Sequence, residues 1–218
     1  MLLLDACGVL VGEPMGPLFS AVVVSSGLHE RVVKDVFRDQ LRDDLWSGRI
    51  STGEFWERFA FAVGLDHASP EWHEVLVDAM EPLPAAALVP DWANRARLAL
   101  ISNHRHEWLL PVLRKHGLEQ YFHALGISSA TGVVKPAPEA FLRALGDHPP
   151  HAALYVDDKD ANVRAAHGVG IAAVQADPGG AWIDEVERWL GPESGSVRVR
   201  PEVHRPDARD RRGSLQGG

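Results

Sequence analysis

The chain opens Met1-Leu2-Leu3-Leu4-Asp5-Ala6-Cys7-Gly8-Val9-Leu10, and the fold class turns on how this stretch is read. An unbroken apolar run ends on an acid and passes into a glycine turn. Short, continuous apolar runs read as strands buried on both faces, as in parallel sheets covered by helices. Similar runs recur at residues 97–102, 124–128, 152–157 and 171–174. Between them lie amphipathic stretches expected to be helical, at 85–95, 104–116, 137–145 and 160–168. Strand alternating with helix implies crossover connections, a parallel sheet and an α/β fold. Several runs end in Asp or Ser. Ligands of open parallel sheets bind beyond the carboxyl ends of the strands, where Asp5, Ser102 and Asp157 are expected.

Residues 13–84 break the alternation. Val32, Val33, Val36, Phe37 and Leu41 keep helical spacing, as do Phe55, Phe59 and Val63, and Trp72, Val75, Leu76 and Ala79. Ser51-Thr52-Gly53-Glu54 and Ser69-Pro70-Glu71 have the chemistry of helix starts. The segment reads as an all-helical insertion at 13–84 within a core made of 1–12 and 85–190. Residues 191–218, rich in Pro, Gly, Ser and Arg without apolar periodicity, read as a disordered tail.

Hydrophobic residues make up 45% of the 218 and charged residues 24%, which places the chain among globular proteins. A net charge of -8 argues against general attraction to nucleic acid or anionic membrane. One cysteine excludes an internal disulfide framework, and no apolar run approaches the roughly 20 residues of a membrane span. The N-terminus lacks the basic start and long apolar region of a signal peptide, so a cytoplasmic protein is expected. Composition does not fix an oligomeric state.

Four clusters fall at expected strand ends or in the loops after them: Asp5-Ala6-Cys7-Gly8, Ser102-Asn103-His104, Lys135-Pro136-Ala137-Pro138-Glu139, and Asp157-Asp158-Lys159-Asp160. Four lysines occur in the whole chain, so Lys135 before a helix start stands out. A helix N-terminus repels a cation, which argues for another use of it. Adjacent acids at a buried strand end repel one another unless a cation sits there. Carboxylates hold a hard divalent ion such as Mg²⁺. Lys135, Ser102 and the N–H of Asn103 suit phosphoryl oxygens, and one carboxylate remains to attack in line. A small phosphorylated molecule is the substrate that this chemistry fits.

The order and context of these clusters resemble the haloacid dehalogenase-like hydrolases, over residues 1 to 190. Asp5 matches that family's nucleophile, Gly8-Val9-Leu10 the turn after it, Ser102 the second motif, Lys135 the third and Asp157-Asp158 the fourth. Gly48-Arg49-Ile50-Ser51-Thr52-Gly53-Glu54-Phe55-Trp56 is similar to the cap of the phosphatase-like branch. The resemblance implies a Rossmann-like core under a helical cap, with an aspartyl-phosphate formed on Asp5. It also implies Mg²⁺ held by Asp5, the backbone carbonyl of Cys7 and Asp158, with Asp157 supporting it. Spacing leaves open which of the paired acids binds directly; the resemblance favours Asp158.

The departure is Cys7. The family's phosphatases carry a second Asp there for acid–base work, worth about 10²–10⁴-fold. Its loss leaves three readings: a phosphatase or phosphotransferase with an undemanding leaving group, a 2-haloacid dehalogenase, or a ligand- or partner-binding protein without catalysis. Dehalogenases of the family carry Asp-Ala-Tyr-Gly here, and a halide leaves without a proton. Cys7 itself is expected to be a small filler behind the nucleophile, or else a weak donor or redox gate. His104 and His106 are expected on an exposed first helical turn, with acid–base work as their sharper reading. Phe19, Arg38, Arg42, Trp46 and Trp56 are the candidate specificity residues of the cap.

Overall fold

The computed structural model describes residues 1–192; the tail expected from 191 lies outside them except for Gly191 and Pro192. Five strands, β1 (Leu2–Leu4), β2 (Leu98–Ser102), β3 (Phe122–Ile127), β4 (Leu154–Asp157) and β5 (Ala172–Gln175), form one sheet ordered β3-β2-β1-β4-β5. All pairings are parallel. The chain builds outward from β1 in one direction and then in the other, so a switch point lies between β2, β1 and β4. Every residue of those three strands is buried, as expected. The expectation fails for β3 and β5, which are largely half-buried or exposed, because each lies at a sheet edge.

The two-residue period of a strand divides the core. Leu2, Leu4, Leu98, Leu100, Leu154 and Val156 pack one face against Trp92, Leu109, Val112, Trp182 and Val186. These belong to α6 (Val89–Arg95), α7 (His106–Lys115) and α11 (Ala181–Leu190). Leu3, Ala99, Ile101 and Tyr155 pack the other face against Phe141, Leu145 and Ala166, from α9 (Pro138–Leu145) and α10 (Asp160–Gly168). Residues 104 and 105, expected within a helix, precede α7 and turn inward.

Between β1 and β2 run α1 (Met15–Ser26), α2 (Glu30–Val36), a π turn (Phe37–Leu41), α3 (Arg42–Trp46), α4 (Thr52–Ala62) and α5 (Pro70–Asp78). Ser51 and Ser69 cap α4 and α5 by accepting the N–H groups of Glu54 and Glu71, as their sequences imply. Phe37 is the hub of this segment, its ring centroid 5.3 Å from Phe19, 6.0 Å from Trp46 and 6.3 Å from Phe55. The same apolar cluster continues into the sheet. No helix of the described residues is long and apolar enough to cross a membrane.

The insertion meets the sheet domain tightly at residues 45–50. Arg105, buried, donates to the carbonyls of Ile50 (2.8 Å) and Leu45 (3.3 Å). Gly48 has φ +75°, and a Cβ there would lie 2.3 Å from the Ser129 carbonyl oxygen in α8 (Ser128–Thr131), the short helix that follows β3. Gly48→Ala combines a backbone penalty of about 1–3 kcal/mol with that clash. Urea denaturation should report a loss of at least that size, whereas Gly53→Ala, where nothing stands within 4 Å, should not.

Candidate active site

The sheet register sets the site. Leu4 lies level with Val156 and with Leu100. The next residue, Asp5, therefore comes level with Asp157 and with the end of β2, and its N–H donates to the Val156 carbonyl (2.9 Å). Lys135 enters from the loop before α9. The Asn103 side chain holds its backbone at both ends, accepting the Lys135 N–H and donating to the Lys135 carbonyl, each at 2.8 Å. The Asn103 group expected to meet substrate was its backbone N–H, which takes no part in this clasp.

Lys135 Nζ is buried and donates to Asp157 Oδ2 (2.7 Å), the Ile101 carbonyl (2.7 Å) and Tyr155 Oη (2.9 Å), with Asp5 Oδ2 3.0 Å away. Asp5 Oδ1 accepts the Ala6 N–H (2.7 Å). Burial raises the Asp5 pKa to about 7, against the opposing pull of Lys135. Asp157 is fully engaged. Its oxygens also accept Asn162 Nδ2 (2.9 and 3.0 Å), the Lys159 N–H (2.8 Å) and the Tyr155 hydroxyl. Burial alone would push Asp157 up; the Lys135 charge and these hydrogen bonds outweigh it and leave it lowered.

Asp158 is different. Its Oδ1 is buried with no hydrogen-bond partner, and burial raises its pKa. Gly8, at φ +80°, permits the approach: a Cβ there would lie 2.7 Å from Asp158 Cγ. Ligand oxygens of Asp5, Asp157 and Asp158 fall within 4.8 Å of one another. The residues fit a hard divalent cation. Asp5 and Asp158 have oxygens for it, whereas Asp157 is saturated by donors. The adjacent acids were expected to need a metal between them; the Lys135 ammonium already serves Asp157.

A cleft of about 1180 Å³ opens above these groups, lined on the sheet side by Asp5, Cys7, Ser102, His104 and Lys135. Of the candidate specificity residues, Phe19, Arg38, Arg42 and Trp46 face it. Trp56 does not: its ring packs on Phe55 (4.7 Å) in the insertion and on Trp108 (5.2 Å) of α7. Glu13, Lys34, Phe37, Arg49 and Lys159 also line the cleft; the residue order assigns none of them that place. Cys7 is buried as expected, and burial, with the Glu13 and Asp5 charges, raises its thiol well above the ordinary value. That argues against a reactive thiolate, which needs a lowered pKa.

His104 was expected on an exposed turn and is 2% exposed. Its ring stacks on Trp46 of α3, centroids 5.4 Å apart, and meets Trp108 edge-on at 6.0 Å. Nδ1 faces the Arg105 carbonyl (3.1 Å), while Nε2 has no partner. Burial lowers its pKa from 6.5 to about 4. Arg105, also missed, is buried beside it and pairs with Glu107 (2.6 Å). Nothing in the residue order separates this inward turn from an exposed one. His106 stays on the partly exposed side, at 46% side-chain exposure.

The family model for haloacid dehalogenase-like hydrolases matches residues 26–170, a stretch that contains Ser102, Lys135, Asp157 and Asp158. The chain belongs to this family. Among solved structures it is similar to a predicted HAD-like hydrolase from Porphyromonas gingivalis, at 24% identity over 88% of this chain and 98% of that one, with TM-score 0.68. A HAD family enzyme from Bacteroides thetaiotaomicron, in complex with magnesium and inorganic phosphate, is 19% identical over 85% and 98%, with TM-score 0.70. The L-2-haloacid dehalogenase from Xanthobacter autotrophicus is 19% identical over 88% and 84%, with TM-score 0.57. At these identities the likeness speaks for the fold. Among curated proteins none matches the chain.

Two outcomes follow from the electrostatics. Lys135→Met leaves Asp5 and Asp157 buried without their counter-charge, and should lower stability by about 3–5 kcal/mol in chemical denaturation. Adding Asp157→Asn should recover part of that loss. The unfolded chain protonates His104 near pH 6.5 and the folded one only near about 4. Stability tied to His104 is thus complete above pH 6.5 and lost as pH falls towards 4. His104→Phe, which keeps a ring against Trp46, should gain about 3 kcal/mol on wild type across that window, read from denaturation midpoints at each pH.

Proposed function

We propose that the protein is a Mg²⁺-dependent phosphoryl hydrolase or phosphotransferase of small phosphorylated metabolites, acting in the cytoplasm through an aspartyl-phosphate on Asp5. The observation that carries this reading is the buried Asp158 oxygen beside Asp5, which has no hydrogen bond and only a 3.7 Å ion pair with Lys159. Displacement at carbon has no use for it, whereas phosphoryl transfer does. Asp5, Asp158 and the Cys7 carbonyl would hold the metal. When bound, the ion neutralises charge on the phosphoryl oxygens and leaves an Asp5 oxygen ionised for attack. Lys135 neutralises a second part of that charge and fixes the Asp5 carboxylate; Asp157 supports it by holding Lys135. Ser102 donates to a phosphoryl oxygen from the end of β2.

Residues 13–84 then act as the cap, and residues 1–12 with 85–190 as the catalytic core. Apolar Phe19, Phe37 and Trp46 exclude water from the cleft, and Arg38 and Arg42 offer cations to an acidic substrate. Each arginine is moderated by near acids, Arg38 by Asp35 and Asp39 and Arg42 by Asp43.

The test is phosphate release from a panel of aryl, acyl and sugar phosphates with and without Mg²⁺. Asp5→Asn should reduce turnover by about 10⁴-fold or more. Asp158→Asn should raise the Mg²⁺ concentration required. Cys7 favours a second reading, dehalogenation, in which no proton is needed by the leaving group. Halide release from a 2-haloacid without Mg²⁺, alongside inactivity on every phosphate, would replace the first reading with that one.

A further inference from the structure

Hydrolysis of an acyl phosphate requires a group that takes a proton from water, and expulsion of an alkoxide requires one that returns it. The groups around Asp5 offer few choices. Asp157 has its oxygens saturated, and Asp158 is turned to the cation position. The Cys7 thiol is a poor acceptor and holds its proton. His104 Nε2 is covered beneath Trp46. Asp43 is bound to Arg42 on the outer part of the insertion, with 73% of its side chain exposed.

Glu13 remains. The loop after Asp5 folds back on itself, with the Gly8 N–H on the Val11 carbonyl (2.7 Å) and the Val11 N–H on the Ala6 carbonyl (3.0 Å). Val11 thereby bridges Cys7, and also bridges Pro82. Two residues later Glu13 lines the same cleft as Asp5 and Cys7. Its Oε1 accepts the Met15 N–H (3.3 Å). Its Oε2 lies 3.4 Å from Lys159 Nζ, which lies 3.7 Å from Asp158 Oδ1. Only one ammonium separates Glu13 from the proposed cation oxygen. The carboxylate is 40% exposed, so it can exchange protons with solvent.

We propose that Glu13 is the acid–base residue of the reaction, a catalytic carboxylate supplied from position 13 where position 7 has a thiol. The proposal rests on Asp5 being the nucleophile. In the first half-reaction the Asp5–phosphorus bond forms, the ester P–O bond breaks, and the leaving alkoxide takes the Glu13 proton. In the second, water attacks phosphorus and gives one proton to the Glu13 carboxylate. The Asp5–phosphorus bond breaks with its electron pair returning to Asp5, and phosphate leaves. Glu13 ends protonated, as it began.

Radiolabelled acetyl phosphate with Mg²⁺ separates the two half-reactions, because acetate leaves without a proton. Wild type, Glu13→Gln, Glu13→Ala and Asp5→Asn are compared after circular dichroism has established that each is folded. Glu13→Gln should label at the wild-type rate and lose its label about 10²–10⁴-fold more slowly. Added formate should speed the loss in Glu13→Ala and not in wild type, an effect that a structural role would not produce. Decay of the Glu13→Gln label within a few-fold of wild type overturns the role of Glu13 and leaves Asp5 as nucleophile intact. Failure of Glu13→Gln to label, where wild type does, overturns it too. A wild type that does not label, or an Asp5→Asn that labels equally, overturns the Asp5 reading and Glu13 with it.

Discussion

The Lys135 ammonium sits between the carboxylates of Asp5 and Asp157, at 3.0 and 2.7 Å, and all three side chains are buried. The parallel register of β1 and β4 puts those acids level, and two buried like charges side by side would each favour protonation or unfolding. A fixed cation between them removes the conflict. Much of the surrounding structure serves to deliver it. Asn103 clasps the Lys135 backbone, Tyr155 and the Ile101 carbonyl take its remaining protons, and Asn162 and the Lys159 N–H complete the shell of Asp157. Removing one member of such a set is costly because the others stay buried.

The parts of this arrangement that depend on strands were legible in the residue order. A run that must be apolar on both faces has a recognisable end, and so the residue order alone puts Asp5, Ser102 and Asp157 on one edge. Lys135 stood out through the scarcity of lysine and its unfavourable place before a helix. What could not be read was direction within loops. His104 and Arg105 follow Ser102 as polar residues would on an exposed turn, yet both point inward, because Trp46 and the carbonyls of Leu45 and Ile50 come to them from residues more than fifty positions away. Trp56 illustrates the converse: helical spacing gives a stripe, not the partner the stripe meets, and its ring turns to Trp108. Edge strands β3 and β5 carry runs as apolar as the central ones because the run reports strand character, while burial reports position in the sheet.

The insertion and the sheet domain meet at residues 45–50, of which Trp46, Ser47 and Arg49 line the cleft. Arg105 spends two hydrogen bonds on carbonyls of residues 45 and 50, and Gly48 lies against the Ser129 backbone with no room for a Cβ. Close by, the π turn at Phe37–Leu41 brings Phe37 and Arg38 to the cleft, with Arg42 immediately after it. The wall that would select a substrate is thus held through α3 to the same polypeptide turn that carries Ser102 and Asn103. A change in how the insertion sits is bound to be felt at His104, where the Trp46 ring lies over it.

Charge arithmetic ties the cation to the unusual residue at position 7. Asp5, Asp157 and Asp158 carry three negative charges when ionised, and Lys135 supplies one positive charge among them. The remainder equals the charge of the one divalent ion proposed for the site. At the rim Lys159 pairs with Glu13 and, at 3.7 Å, with Asp158, and it offsets Glu13 whenever that carboxylate is ionised. A fourth carboxylate at position 7, buried and adjacent to Asp5, would need either a further cation or a proton. A thiol there carries no charge. With the proton carrier at Glu13, half in water and beside Lys159, the cluster keeps its balance and the proton keeps a route to solvent.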